Sequence, residues 1–443
     1  MSKKVVIVGA NQCALAFADM VAQKGFDVTC YEKKAKEDVA YDWTDDVNPA
    51  AFTEAGMEMP PENIWHKKLD WSFVPPYKNT ITKLKGPSIE EADLSIERRP
   101  LNDYLEKKAI ASGARIFYQV GVKKALTEGD KVVGIVLESG EEILCDLVVD
   151  CGGVNSCIKG SLPSSFGIQP TVDSNCLFFV RRAFFNIPDG ATLPDVHTNK
   201  AYLKHINELG ISWCILSHDK KMADVLIGRL GAMSDETYKN ALEDIRKDNE
   251  IVGDKLIKGG QLLYIPVTHP IPKFIANGYA MIGDSACMTI PMLGSGIASG
   301  FKAARLLCEA ISKEVENPYS LENLYENYEY PFMSTTGALH AGIDVLKTWL
   351  LSSQDGDVDF LLDNGVVTNK VLKASAGGEK VSLSPIEALG CAWRGRAKIG
   401  LLMKMIGVLN KMNKSIRIAQ KLPKKYNEDS FLKWQEKYLA LFN

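Results

Sequence analysis

The sequence lacks the patterns that mark several classes of catalytic and metal-binding protein. None of its ten cysteines belongs to a Cys-x-x-Cys pair, so nothing indicates an iron–sulfur cluster or a structural zinc site. The six histidines are dispersed, and the sequence contains neither a Walker loop nor a Ser-His-Asp order. We therefore expect no metal centre, no triad hydrolase and no P-loop chemistry.

Long apolar runs and a strong charge of either sign are also missing. No uninterrupted apolar stretch reaches the length of a membrane-spanning helix. The formal net charge is −3, with 46% hydrophobic and 24% charged residues, which is ordinary for a soluble globular protein. Most cysteines have apolar neighbours and suit a core in a reducing compartment, so we expect a cytoplasmic protein.

The N-terminal residues have the pattern of a dinucleotide-binding βαβ unit rather than that of a signal peptide. The apolar run Lys3–Val8 predicts a buried strand and residues 14–24 predict a helix. Asp27–Tyr31 then predict a second strand, which is followed by Glu32. An acidic residue at this distance from the glycine turn can accept hydrogen bonds from ribose hydroxyls.

The glycine turn of this unit is altered. Gly9 is the only glycine of the usual three, because Asn11 and Ala14 occupy the second and third positions. Asparagine tolerates a positive φ better than most residues, and alanine is an accepted third residue, so we expect the turn to form. Asn11 nevertheless brings a side chain to the place where a pyrophosphate would approach.

A second glycine-containing stretch lies at residues 278–304. It predicts a short buried strand (Tyr279–Ile282), a sharp Gly283-Asp284 turn, a loop, and a helix that begins near Gly296. Gly294 and Gly296 leave the backbone without side chains where this helix begins. A flat or anionic group can therefore approach N–H groups at the positive end of the helix dipole.

The spacing of this stretch resembles the third FAD-binding motif of the glutathione-reductase-type flavoproteins. The match comprises Gly-Asp-Ser-Ala at 283–286, Pro291, and Gly294-x-Gly296-Ile297. It is similar to the branch that contains aromatic hydroxylases and geranylgeranyl reductases. The resemblance implies that Asp284 holds the ribityl chain of FAD, and that the loop beginning at Pro291 lies against the pyrimidine edge of the flavin.

The same resemblance implies roles for other positions. Arg99, in the pair that begins a helix ending near Gly113, would reach the FAD phosphates. The second family motif would fall at 151–156, but Gly152 stands where the family has an aspartate, which disfavours the hydroxylase reaction. The cofactor-binding residues that we predict are Gly9, Asn11, Ala14, Glu32, Arg99, Val120, Gly283, Asp284, Pro291, Gly294, Gly296 and Ile297.

The predicted fold class is α/β. We expect a Rossmann-like FAD-binding domain with a parallel sheet, an inserted and mostly antiparallel substrate-domain sheet, and a helical C-terminal region. The FAD-binding domain would comprise residues 1–165 and 266–325, the substrate-binding domain 166–265, and the helical domain 326–443. Residues 35–96 are irregular and rich in aromatics, and they predict an active-site loop region.

Candidate substrate contacts come from two segments. In the resembled family the chain after the second strand runs toward flavin and substrate, which selects Tyr41, Asp42 and Trp43; a packed surface loop is the alternative. Trp213 lies in a stretch similar to the Tyr-x-Trp-x-Phe-Pro segment of geranylgeranyl reductases, although the Phe-Pro is absent and a core aromatic is the alternative. Tyr41 and Cys214 are the candidate proton donors, chosen by their expected location.

Residues 391–427 carry ten Lys or Arg and no acid, interleaved with apolar residues. Such a basic segment can lie on an anionic membrane surface, pack its apolar side on the protein's own core, or dimerise. Peripheral membrane contact therefore stays open beside packing. Nucleic-acid binding is not expected, because no recognition fold accompanies the charge.

The motifs together predict an FAD-dependent oxidoreductase of the geranylgeranyl-reductase-like group. It would reduce a C=C bond of an apolar lipid, isoprenoid or polycyclic substrate by hydride transfer from reduced flavin N5. The reductant would be NAD(P)H or a reduced electron-carrier protein. Two alternatives remain: a class A flavin monooxygenase that hydroxylates a small aromatic or apolar substrate, and a degenerate flavoprotein-fold binding module without redox activity.

Overall fold

A parallel sheet forms the centre of the molecule. The computed structural model describes residues 3–83, 92–313 and 315–442. The six strands of this sheet lie in the order Ile275–Ala276, Tyr279–Met281, Leu147–Asp150, Lys4–Val8, Asp27–Tyr31 and Arg115–Phe117. All neighbouring pairs are parallel except the hairpin at its edge. The β-branched strand Lys4–Val8 lies in the middle, where both of its faces are buried.

Three long helices pack on this sheet or on each other: Gln12–Ala22, Arg98–Ala111 and Ile297–Ile311. The first and third approach closely because Gly300 has no side chain. A Cβ atom at Gly300 would lie 2.1 Å from the Sγ atom of Cys13. A small antiparallel sheet of Val122–Glu128, Lys131–Leu137 and Glu142–Leu144 follows, with glycine turns between its strands as the sequence predicts.

A second, mostly antiparallel sheet has seven strands. Their order is Leu256–Pro266, Leu177–Asn186, Met222–Leu230, Gly210–Leu216, Asn199–Leu203, Ser72–Val74 and Thr82–Lys83. The helix Asp235–Asp248 buries its apolar residues against one face of this sheet. The other face packs against the C-terminal helices.

The prediction that residues 35–96 are irregular was wrong for much of the segment. Two of the seven strands above come from it, and Thr44–Val47, Trp65–Lys67 and Leu94–Glu97 form a further three-stranded sheet. These strands are two to four residues long, too short to produce a periodic hydrophobic signal. The part of the predicted loop region at 84–91 lies outside the described residues.

The remaining helices are shorter or C-terminal. The short ones are Lys36–Val39, Ala50–Glu54 and Cys157–Ser161. The C-terminal ones are Leu321–Leu324, Tyr330–Phe332, Ala338–Ser352, Asp355–Asp363, Asn369–Gly377, Pro385–Arg394, Ile399–Ala419 and Glu428–Leu439, with π-helical turns at Tyr325–Glu329 and Met333–Gly337. Within the three described ranges, none of the helices is both long and apolar enough to cross a bilayer.

The arrangement confirms the predicted fold class. The parallel sheet, the inserted antiparallel sheet and the helical C-terminal region are all present. The proposed domain boundaries stay predictions, and strands Ser72–Val74 and Thr82–Lys83 join the second sheet from outside the predicted range 166–265.

Candidate functional site

A cavity of about 380 Å³ opens where the parallel strands end. We call it the sheet-end cavity. Ligands of open α/β sheets bind at this edge, because the loops and helix N-termini there present free backbone groups. Its lining includes Gly9, Asn11, Gln12, Cys13, Glu32, Lys33, Lys34, Tyr41, Arg98, Gly152, Gly153, Asn155, Ser156, Cys157, Ile265, Gly283, Asp284, Gly294, Gly296 and Ile297.

The altered glycine turn forms one wall of this cavity. Gly9 has a φ of +106°, and a Cβ atom there would lie 2.8 Å from the carbonyl oxygen of Cys151. We expected the turn to require a positive φ at Asn11. The φ of Asn11 is −75°, so this expectation was wrong. It is the N-cap of the first helix: Oδ1 accepts from Ala14 N–H at 3.2 Å and Nδ2 donates to the Cys151 carbonyl at 2.7 Å. The asparagine amide is thus engaged with backbone.

Glu32 lies at the end of the second strand and lines the same cavity. Its two carboxylate oxygens accept from the backbone N–H groups of Ala10 at 3.1 Å and Lys34 at 2.9 Å. These bonds fix the orientation of the carboxylate. Each oxygen keeps a further lone pair, so the group can still accept from a vicinal diol.

Asp284 and two glycines form the opposite wall. Burial raises the pKa of Asp284 to about 6, although Arg98 and Lys159 favour its charged form. A Cβ atom at Gly294, which has a φ of +75°, would lie 2.7 Å from a methyl of Ile265. Gly296 is the N-cap of the helix Ile297–Ile311 and supplies no side-chain cap. The first N–H groups of that helix therefore keep their hydrogen-bonding capacity for a ligand.

These features fit FAD. The lining combines a carboxylate suited to a ribose, a helix N-terminus suited to a pyrophosphate, and two glycines that leave room for a flat ring. Addition of a Cβ atom at Gly9 or Gly294 would collide with protein atoms. In the second motif, the fully buried Asp150 holds the loop that follows it. Asp150 accepts hydrogen bonds from Gly152 N–H at 2.9 Å and from the Ser156 hydroxyl at 2.6 Å.

Arg98, and not Arg99, lines the sheet-end cavity. Asp45 binds the Arg98 guanidinium through both oxygens, at 2.8 and 2.5 Å. Burial opposes the charge of Arg98, but Asp45, Tyr41 and Asp284 together outweigh burial and raise the guanidinium pKa. Arg99 pairs with Asp42 at 3.0 Å on the outside. The sequence could not separate two adjacent arginines, because the side facing the cavity depends on how the helix packs.

The predicted substrate residues lie around two buried arginines. Tyr41 lines the sheet-end cavity, and its ring lies 4.5 Å from the Arg98 guanidinium. Trp43 lies 5.4 Å from Arg98 and 4.9 Å from Arg182. Trp213 lies 5.3 Å from the same Arg182, which the sequence did not single out. Asp42 forms the outer ion pair with Arg99 and does not line the sheet-end cavity as far as the described residues show.

Four other predicted residues do not line the sheet-end cavity: Ala14, Val120, Pro291 and Cys214. Ala14 is fully buried, and the Val120 N–H donates to the Glu32 carbonyl at 2.9 Å. Cys214 lies in the core under the helix Asp235–Asp248, on the opposite face of its strand from Trp213. Burial raises the pKa of Cys214 to about 12. The structure therefore does not bring Cys214 to the site.

A second cavity, of about 500 Å³, lies between the seven-stranded sheet and the C-terminal helices. We call it the apolar cavity. Phe73, Phe178 and Ile211 line it from the sheet, and Leu350 and Leu361 line it from the helices. Sequence reasoning missed it, because its walls come from segments far apart in the chain.

The two cavities share one loop. Met292 and Leu293 line the apolar cavity, whereas Gly294 and Gly296 of the same loop line the sheet-end cavity. Lys204 and Lys347 border the apolar cavity, but they form ion pairs at 2.7 Å with Asp355 and Asp344. The cavity therefore offers mainly apolar surface, directly beside the proposed ring slot.

The fold resembles that of one class of protein, the glutathione-reductase-type flavoproteins. The Tryptophan halogenase family model matches residues 69–179. A digeranylgeranylglycerophospholipid reductase from Sulfolobus acidocaldarius is 22% identical over 426 residues, which covers 93% of this chain and 91% of that protein.

Solved structures agree with the sequence relatives. A geranylgeranyl bacteriochlorophyll reductase-like protein from Thermoplasma acidophilum superposes with a TM-score of 0.73 at 17% identity, covering 92% of this chain and all of that one. The flavin-dependent brominase Bmp2 superposes with a TM-score of 0.61 at 16% identity, covering 91% and 100%. In sequence and in fold, the chain resembles the flavoprotein superfamily that contains the geranylgeranyl reductases and the aromatic hydroxylases. The expectation of an FAD-dependent oxidoreductase is thereby confirmed.

Proposed function

We propose that this protein reduces a carbon–carbon double bond in an apolar substrate of the isoprenoid-lipid type. The observation that carries the proposal is the shared loop, which places apolar surface on one side of Leu293 and the FAD-compatible slot on the other. The sequence relatives are named as reductases of a geranylgeranylated lipid, which supports this substrate class.

The residues that would hold FAD follow from the sheet-end cavity. Glu32 would accept from the adenosine ribose, the N–H groups after Gly9 would face the pyrophosphate, and Asp284 would accept from the ribityl hydroxyls. Gly294 and Gly296 would leave room for the ring. When bound and reduced, FAD supplies the hydride for one carbon of the double bond.

The apolar cavity would select and dehydrate the substrate. Its volume lies in the usual range for a small-molecule site, and its aliphatic and aromatic walls suit a hydrocarbon chain. A polar aromatic substrate would lose hydrogen bonds to water there without replacement. The apolar cavity therefore disfavours the alternative of a monooxygenase that hydroxylates a small aromatic substrate.

Tyr41 is the proton donor that we propose for the second carbon. Burial raises the pKa of Tyr41, so its hydroxyl keeps its proton at neutral pH. The nearby guanidinium of Arg98 would stabilise the tyrosinate left after the transfer. Cys214, the other nominee, lies behind the sheet and is not retained. The reductant is proposed to be NAD(P)H or a reduced electron-carrier protein.

The absorption spectrum of the purified protein tests the proposal first. Flavin bands, with FAD released on heating, are expected, followed by anaerobic reduction with dithionite and incubation with geranylgeranylated lipid. Mass spectrometry should then show the gain of one H2 for each double bond reduced. Oxidised enzyme, and dithionite without enzyme, are the controls.

Two results would contradict the proposal. A colourless protein that does not take up added FAD would favour the binding-module alternative. A flavin-containing protein that consumes oxygen with NAD(P)H and hydroxylates its substrate would favour the monooxygenase.

A further inference from the structure

Two consecutive C-terminal helices carry a large exposed apolar surface. Ile386 and Trp393 of the helix Pro385–Arg394 are 82% and 68% exposed. The next helix, Ile399–Ala419, continues the pattern. We call the set the outer face; its members are Ile386, Leu389, Trp393, Ile399, Met403 and Ile406, each with about half or more of its surface in water. Several exposed apolar residues on one side of a helix indicate a candidate interaction site.

The outer face follows one stripe on each helix. Ile386, Leu389 and Trp393 are spaced i, i+3, i+7, and Ile399, Met403 and Ile406 are spaced i, i+4, i+7. Other apolar residues of the same helices point inward: Cys391, Leu401 and Leu402 are buried in the core. Each helix thus has two apolar sides, only one of which the protein itself covers.

The charge around the outer face is mainly basic; Glu387 of the first helix pairs with Lys370 at 3.2 Å, and Lys398 pairs with Asp357 at 2.8 Å. Residues 388–427 contain no acid and carry ten basic residues: Arg394, Arg396, Lys398, Lys404, Lys411, Lys414, Arg417, Lys421, Lys424 and Lys425. The Arg396 guanidinium lies 4.1 Å from the Trp393 ring. Lys404 and Lys411 are exposed on the second helix. An aromatic residue beside cations, on an amphipathic helix pair, matches the boundary between lipid headgroups and acyl chains.

The inner side of the same helices lines the apolar cavity. Ala388 of the first helix and Met405, Leu409 and Met412 of the second contribute to its wall. The helix pair therefore separates the cavity from the outer face. This single layer of helices has apolar residues on both of its sides. A lipid chain that moves from the outer face to the cavity would therefore contact apolar residues along the way.

We propose that the outer face docks on an anionic lipid bilayer, with its apolar residues among the acyl chains and its basic residues at the headgroups. The charge pattern selects this occupant. A second copy of the chain would bring two sets of basic residues together, which repel each other. The docking does not depend on the proposed function. Passage of substrate from the bilayer to the apolar cavity would be a consequence of the docking, and that consequence rests on the proposed function.

Vesicle co-sedimentation of the full-length protein tests the docking. Wild type should bind vesicles that contain phosphatidylglycerol about tenfold or more tightly than phosphatidylcholine vesicles, and binding should weaken as salt is added. The variant Trp393→Glu/Met403→Glu should lose roughly tenfold or more in binding. Lys404→Glu/Lys411→Glu should weaken binding to anionic vesicles while leaving the weak binding to neutral ones unchanged.

The control is Ile110→Glu, which places one glutamate at an exposed apolar residue of another helix, Arg98–Ala111, and is compared with the single variant Trp393→Glu. It should bind vesicles like wild type. Circular dichroism and the thermal midpoint of each variant show whether it is folded. Because all of the substituted side chains are exposed, folded variants are expected.

Three results would overturn the docking: no vesicle binding by wild type, equal binding by wild type and the Trp393→Glu/Met403→Glu variant, or a wild-type dimer that this variant converts to a monomer. Light scattering measures the last. Alkene reduction on detergent-dispersed substrate is assayed separately and should be the same in wild type and variant. If wild type does not reduce the alkene, the proposed function is contradicted. The docking, which is measured by vesicle binding, would not be affected by that result.

Discussion

At the scale of single residues, the sheet-end cavity depends on side chains that differ from those expected of its motifs. Asn11 replaces a glycine, yet it caps the first helix and bonds to the Cys151 carbonyl. In the second motif, Asp150 precedes Gly152 by two positions and holds the loop by accepting hydrogen bonds from Gly152 N–H and the Ser156 hydroxyl. The substitutions therefore change which atoms hold the loops and preserve the cavity between them.

Replacement of Asn11 by alanine should lower both stability and FAD affinity. Loss of the cap costs about 1 kcal/mol, and the first-turn N–H groups lose their fixed orientation. Asn427→Ala removes the same kind of cap, an Oδ1 that accepts from Ser430 N–H at 3.0 Å, from a helix remote from the cavity. Chemical denaturation should show a loss for both variants, larger for Asn11→Ala because its Nδ2 also donates to the Cys151 carbonyl, whereas an FAD titration should show weakened binding only for Asn11→Ala. Equal FAD affinities would contradict the assigned role.

The buried carboxyl of Asp284 should make the FAD-free protein less stable as pH rises. Its pKa of about 6 in the folded state exceeds the ordinary value of 3.8, so the folded protein holds the proton more tightly. Stability from this group is present below about pH 4 and is lost as pH rises through about 6. Asp284→Asn should therefore be more stable than wild type by roughly 1–3 kcal/mol at pH 7, with no such gain at pH 4.

Denaturation of the FAD-free proteins at both pH values measures this effect, with the exposed Asp195→Asn as control. The same Asp284→Asn variant should bind FAD more weakly, because the charged acceptor for the ribityl hydroxyls is gone. A variant that is less stable than wild type at pH 7 would argue against a destabilising buried charge.

Tyr41→Phe should slow alkene reduction about a hundredfold and leave the flavin spectrum unchanged, because only the transferable proton is removed. The exposed Tyr77→Phe is the control and should react like wild type. Single-turnover reduction of a bound alkene by the pre-reduced enzyme is the measurement. An unchanged rate would assign the proton to another group or to water.

At the scale of elements, the loop from Pro291 to Gly296 is the structural link between the two cavities. It precedes the helix Ile297–Ile311 and leaves that helix without a side-chain cap. Its two glycines face the FAD-compatible slot, and its Met292 and Leu293 face the apolar cavity. The loop can therefore bring two different chemical environments to adjacent positions.

Gly294→Ala should destabilise the protein and weaken FAD binding. The left-handed backbone alone costs about 1–2 kcal/mol with a Cβ atom, and the added atom would also collide with Ile265. Gly190→Ala is a matched control: its φ is +82°, with nothing within 4 Å of the added atom. Both variants should lose the backbone contribution on denaturation, but only Gly294→Ala should show further loss and reduced FAD affinity. Identical behaviour of the two would contradict the packing argument.

At the scale of the whole molecule, the apolar cavity is assembled from distant parts of the chain. The inserted sheet supplies one wall and the C-terminal helices supply the other. Because these segments meet only in the folded chain, the shape of the cavity depends on how the two regions are placed relative to each other. In the proposed function it is also the feature that favours a lipid substrate over a small polar one.

Ile211→Trp should shorten the apolar cavity. Long isoprenoid substrates should lose roughly tenfold or more in kcat/KM, whereas short alkenes and the flavin spectrum should be unaffected. Ile257→Trp adds the same bulk at a half-exposed strand residue outside both cavities and serves as control. A chain-length series assayed with each variant measures the effect, and a uniform loss at all lengths would contradict the cavity assignment.

Local patterns in the sequence determined much of this protein. The βαβ unit, the strand and turn before the third motif, the fold class and the resemblance to geranylgeranyl reductases followed from residues close together in the chain, because hydrophobic periodicity and glycine spacing are local signals. The tertiary structure decided the rest. Whether Arg98 or Arg99 faces the cavity, and which side of its strand Cys214 occupies, depends on contacts with distant segments. The same holds for the inner and outer faces of the C-terminal helices and for the apolar cavity, since only packing determines which apolar side is covered.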